Sequence, residues 1–177
     1  MFANLVQGAS LHGLDGYIPH KIDVVKNARQ HNNMGNIYFD EKNYNAAFYE
    51  YQIAYELMKH THGTAPYLYN MAKCMLKFKN YIRAQYLIEQ AIKQDCINMT
   101  YYEALVDCYT AQNIAHKKLS IHLADTKNPY NRIIAGLIYL KTGQKIEAKV
   151  IFDEFISDNP DMIISNDVRL ILKNIKD

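Results

Sequence analysis

The sequence predicts an all-α solenoid of about four helix–turn–helix units, ended by a capping helix. Small and bulky residues recur in one order. Gly35, Tyr38, Tyr44, Ala47, Tyr51 and Ala54 return as Ala72, Met75, Tyr81, Ala84, Ile88 and Ala91, then as Gly136, Tyr139, Ala148, Phe152 and Pro160. The sets return near a period of about 34 residues, which marks a stacked array of helical pairs. Within a set the spacing is helical: Ala47, Tyr51, Ala54 and Met58 fall on one face.

The elements follow in order. Residues 1–19 carry no sustained period, and Gly8, Gly13, Gly16 and Pro19 interrupt any helix. Two readings stay open for them: a loose arm, or a strap in which Leu5, Val6, Leu11, Leu14, Tyr17 and Ile18 cover apolar surface. Residues 20–177 form the repeat domain. Its first helix runs from about Lys21 to Glu41, with Ile22, Val25, Ala28, His31 and Gly35 on one face. Asn43 breaks the chain, and a second helix runs from about Tyr44 to Lys59.

The first unit spans about residues 28–61. A loop at His60–Thr64 leads to the second, about 65–98, where Pro66 opens a helix at a position that needs no N–H. The third unit, about 99–128, departs from the order. Val106 fills the small-residue slot, Ala115 fills a tyrosine slot, and the helix from Ile114 to Ala124 is about one turn short. Irregular packing is expected there, without loss of the fold. The fourth unit, about 129–162, regains the order. The capping helix, about 163–176, turns Val168, Ile171, Leu172 and Ile175 inward and Asn166, Arg169 and Lys173 to water. A repeat array needs such a polar outer face on its terminal unit.

This order of small and large residues resembles the tetratricopeptide repeat (TPR) family over roughly residues 28–162. The resemblance implies a right-handed α-α superhelix and a non-enzymatic scaffold or adaptor. In that family the first helix of each unit lines a concave groove that binds a peptide. Carried onto this sequence, the groove positions include Arg29, Asn32, Asn36, Phe39 and Asp40 in unit one, and Tyr69, Lys73 and Lys77, with Asn70 beside them, in unit two. Unit three gives Glu103 and Asp107. Unit four gives Tyr130, Ile133, Leu137, Leu140 and Lys141, an apolar strip. Some TPR domains clamp a C-terminal carboxylate of heat-shock chaperones. Asn36 and Asn70 match that clamp, but Asn32, Thr100 and Ala104 replace its three basic positions, so that ligand is rejected.

Residues 65–98 hold five basic side chains against two acidic ones, and Lys73 and Lys77 share one helix face. They either make a solvated face or grip an acidic stretch or C-terminal carboxylate of a partner. A TPR-type secretion chaperone and a self-assembling, homo-oligomeric scaffold are the alternative functions.

Composition narrows the classes. The net charge of +2 over 177 residues is too small for an electrostatic nucleic-acid binder. No apolar run is long enough to span a membrane, and the start lacks a secretory signal. Cys74, Cys96 and Cys108 form neither a disulfide framework nor a metal knuckle. A cytoplasmic, reducing location is therefore expected. His60 and His62 sit in a loop, and His116 and His122 are six residues apart with no carboxylate or cysteine in ligand register. No metal site, catalytic residue or cofactor is predicted. There is no nucleophile elbow, phosphate-binding glycine loop or zinc-protease motif.

Overall fold

The computed structural model describes residues 23–175, where the chain is a succession of helices. They are α1 (Val24–Asp40), α2 (Tyr44–Met58), α3 (Ala65–Lys77), α4 (Tyr81–Gln94), α5 (Met99–Ala111), α6 (Ala115–Ala124), α7 (Tyr130–Lys141), α8 (Lys145–Asp158) and α9 (Ser165–Asn174). No strand occurs among the described residues. The arm or strap expected at 1–19, the helix start near Lys21 and the end of the capping helix at 176 lie outside them. Each helix packs mainly on its neighbours in sequence, as a solenoid requires.

The turn inside each pair has one geometry, repeated four times. Lys42, Lys79, Asn113 and Gly143 each sit just past the first helix with a φ between 57° and 83°. The next residue's N–H reaches back to close the helix: Asn43 to Tyr38, Asn80 to Met75, Ile114 to Tyr109 and Gln144 to Tyr139. This is a Schellman end, which favours glycine at the left-handed position. Asn43 and Asn80 then cap α2 and α4, their side chains accepting from the N–H of Ala46 and Arg83. Only Gly143 suits its left-handed site without a Cβ cost. We expect Lys79→Gly to stabilise the protein by about 0.5–1 kcal/mol, read as a higher urea midpoint at constant slope.

The small residues mark closest approach. A Cβ built on Gly35 would lie 2.6 Å from the Tyr51 ring, and one on Gly136 would run into the Phe152 ring. Tyr51, Ile88 and Phe152 each lie sixteen residues past Gly35, Ala72 and Gly136, and all three are fully buried. The backbone of each first helix thus forms the floor on which a large side chain from the second helix rests. Val25, expected to face inward, is 52% exposed. The reason is that α2 ends where Met58 packs on Ala28, so nothing from α2 reaches one turn further back.

The third pair breaks this rule for a visible reason. Val106 stands where the others have Gly35, Ala72 and Gly136, Lys118 stands where they have alanine, and His122 takes the slot of Tyr51, Ile88 and Phe152. The larger residues in these slots hold the α5 and α6 backbones apart, and Lys118 Nζ lies over the Tyr109 ring, 5.0 Å from its centroid. The two helices meet through side chains more than through close backbone approach, and α5 packs directly on α7. The ten-residue α6 begins at Ala115, and its N-cap, Ile114, provides no capping side chain.

His122 closes this gap through polar contacts. Its Nδ1 lies 2.8 Å from Asn131 Oδ1 and its Nε2 lies 3.5 Å from the Tyr109 hydroxyl. Asn131 Nδ2 donates to the backbone and side-chain oxygens of Asp125. Asn131 Oδ1 is therefore the acceptor and His122 Nδ1 carries the proton. Burial holds the ring's pKa below its ordinary value. Lys118 adds to that, while the Asn131 bond, Glu89 and Asp125 oppose it. Unfolded His122 takes up its proton near pH ~6.5, before the folded ring does. Its contribution to stability is thus complete above that pH and is lost as the pH falls from there towards the depressed folded value. We expect His122→Gln to flatten this part of the acid limb, measured as the urea midpoint at pH values either side of the transition.

Candidate functional site

The first helices, α1, α3, α5 and α7, bring the predicted groove residues of successive units beside one another. Between α1 and α3, Asn70 Nδ2 donates to Asn32 Oδ1 at 2.9 Å. Asn36 Oδ1 accepts from the Tyr51 hydroxyl at 2.8 Å, a bond inside the first pair. Both asparagines thus already serve the stack on one side. Arg29 and Asp40 are exposed.

Next along the surface, Phe39 and Tyr69 offer their ring faces to lysines. Lys73 Nζ lies 5.1 Å from the Phe39 centroid and 5.8 Å from that of Tyr69, and Lys77 Nζ lies 5.9 Å from Phe39. Such contacts attract a cation to the negative face of the ring. Burial lowers the Lys73 pKa from its ordinary value, with Cys74 and Asp40 acting against that. Phe39 is held edge-on by Tyr44, with centroids 5.2 Å apart, and Tyr69 is tilted against Tyr101 of α5 at 5.0 Å. The lysine platform is therefore built from rings anchored in two units.

Beyond Tyr69 the sign changes. Burial raises the Tyr69 hydroxyl's pKa, and the neighbouring carboxylates of Glu103 and Asp107 add to that. Asp107 pairs with Lys141 of α7 at 2.5 Å. These residues border an open groove of about 380 Å³ between α5 and α7, lined by Glu103, Val106, Asp107, Leu137, Leu140 and Lys141. Five of the six, all but Val106, are groove residues named from the sequence resemblance. Val106 was not, because its slot reads as an internal packing position.

The apolar strip expected in unit four is mostly interior. Ile133 is fully buried and Leu137 is 8% exposed. Tyr130 is half-buried, with its ring stacked on Tyr102 at 5.8 Å and its hydroxyl 3.1 Å from Cys96 Sγ. The cause is the direct contact of α5 with α7, which closes over the inner part of the strip and leaves Leu140 half-buried at its rim.

The chemistry available here is recognition by charge and surface. Burial pushes the Cys74 thiol up to about 11 and the Cys108 thiol up to about 12, so both are neutral, small apolar groups at neutral pH. Among the described residues no three His, Cys, Asp or Glu side chains gather to hold a metal ion. No described helix is long and apolar enough to cross a membrane.

No family model and no curated protein matches the chain. Solved structures do. A tetratricopeptide repeat protein from Parabacteroides merdae superposes with a TM-score of 0.54 at 15% identity, over 84% of this chain and 59% of that one. The chain has the TPR fold. A second structure, pilF of Pseudomonas aeruginosa, superposes with a TM-score of 0.50 at 13% identity, over 82% of this chain and 67% of that one. In TPR terms, the basic platform belongs to the first helix of the second pair and the acidic one to the first helix of the third.

Proposed function

We propose that the chain is a non-enzymatic interaction scaffold whose concave face binds a peptide segment of a partner protein. The observation that carries this reading is the set of groove residues that runs from Lys73 and Lys77, seated on Phe39, through Tyr69 and its ring contact with Tyr101 of α5, to the cleft bordered by Glu103, Leu140 and Lys141. It joins ring faces, an apolar rim and charges of both signs, the mixture that protein partners recognise. The buried neutral thiols suit a reducing, cytoplasmic setting.

The test is capture of partners from a native lysate with three chains: the natural one, a groove variant (Lys77→Glu with Leu140→Asp) and an outer-face variant (Ile146→Ser). Ile146 is 77% exposed on α8. Loss of the same captured protein with the groove variant alone supports the reading. Equal loss with the outer-face variant, or retention with the groove variant, contradicts it.

Self-assembly is the second reading, favoured by Ile82 and Tyr86 on α4 and Ile146 and Val150 on α8, exposed apolar pairs one helical turn apart. A mass that stays monomeric by light scattering across a hundredfold concentration range would remove it.

A further inference from the structure

We infer that the concave face selects a peptide of mixed charge: an acidic side chain held at Lys73 and Lys77, and a basic one, about three residues away, held at Glu103. This rests on the peptide-binding reading and names the partner's chemistry. Four observations support it. Among the described residues, neither Lys73 nor Lys77 forms an ion pair, and nor does Glu103. Asp107, the other carboxylate on this face of α5, is already neutralised by Lys141. On α3 and α5 the groove therefore offers two sites of opposite sign, while the exposed Asp40 of α1 also acts on Lys73. Lys73 is held over Phe39 and Tyr69 by rings packed from both sides, so its position is set before a ligand arrives.

The two sites are separated by one tyrosine. Lys73 Nζ lies over the ring of Tyr69, and Glu103 is a charge that its hydroxyl feels. α3 and α5 meet through the rings of Tyr69 and Tyr101, 5.0 Å apart, which puts them at the wide end of the roughly 8–10 Å that separates neighbouring helices. An extended chain advances about 3.3 Å per residue, which sets the three-residue spacing. The half-buried Lys73 ammonium gains more from an opposite charge than a fully hydrated group does, while the exposed Glu103 adds to selectivity. A purely acidic ligand would meet Glu103, and a purely basic one would meet Lys73 and Lys77, so each is opposed at one site.

The experiment uses fluorescent ten-residue peptides of one neutral backbone, with the full chain as receptor. One peptide carries Asp alone, one Lys alone, one Asp-x-x-Lys and one Lys-x-x-Asp. In polarisation titrations at low salt, one of the two mixed peptides is expected to bind about tenfold tighter than either singly charged peptide. The triple exchange Lys73→Glu, Lys77→Glu and Glu103→Lys is expected to reverse the preference between the two mixed orders. The inference is overturned if singly and doubly charged peptides bind alike, if the exchanged chain keeps the original preference, or if none of the peptides binds. A captured protein partner lost with the groove variant but kept with the charge-exchanged chain would likewise overturn it, while leaving the peptide-binding reading standing. Circular dichroism of the exchanged chain guards against a folding defect, and the single exchange Glu103→Lys, at an exposed site, provides a milder variant. That variant is expected to bind the Asp-only peptide tighter than the natural chain does.

Discussion

Gly136→Ala is expected to lower stability by roughly 2–3 kcal/mol, at the upper end of what overpacking costs, and Phe152→Leu in the same chain is expected to recover part of the loss. The new methyl group has nowhere to go. It would enter the space of the fully buried Phe152 ring, which lies directly on the α7 backbone. Helix propensity alone would favour alanine over glycine by about 1 kcal/mol, so a net loss can come only from the clash. The double variant separates these effects, because a leucine leaves room where the ring stood. A Gly136→Ala chain that melts at or above the natural temperature would show that α7 and α8 do not approach as closely as described. Gly35 and Tyr51 form the same contact in the first pair, and Gly35→Ala is expected to behave alike.

Tyr102→Ala is expected to give the second large effect, a loss of about 3–5 kcal/mol, against about 1–2 kcal/mol for Tyr102→Phe. Tyr102 is fully buried, stacks on Tyr130 and donates its hydroxyl to the Cys96 carbonyl at 2.8 Å. It joins the loop after α4 to α5 and α7, and so ties the second pair to the third and fourth. The phenylalanine variant loses only the hydrogen bond and leaves that carbonyl without its donor. The alanine variant also opens a cavity at the junction. Urea unfolding of both chains measures the difference. Equal losses would mean that the hydroxyl, and not the ring, holds the junction.

The fold was legible because its signal is local and repeated. Gly35 with Tyr51 and Gly136 with Phe152 make the same contact at the same separation, and Ala72 with Ile88 repeats that separation with both residues fully buried. The third pair was legible only as an irregularity. His122 reads in sequence as one of two loosely spaced histidines. Counting sixteen residues on from Val106 would have placed it in the slot of Tyr51 and Phe152, and the polar network with Asn131 and Tyr109 would then have been sought there. The groove was legible in membership but not in pairing. Lys73 and Lys77 read as a shared face, yet their seat on Phe39 and Tyr69 depends on how one unit is set against the next. The same holds for Lys141 and Asp107, which lie 34 residues apart and meet only because α5 packs on α7. That packing also buries Ile133, which the family resemblance assigns to the open strip.

A photo-crosslinking amino acid placed in turn at position 77 on the concave face and position 146 on the outer face, in the native lysate, tests the account most directly. Crosslinks to a partner protein from position 77, with none from position 146, are the predicted result. Crosslinks confined to position 146 would contradict it.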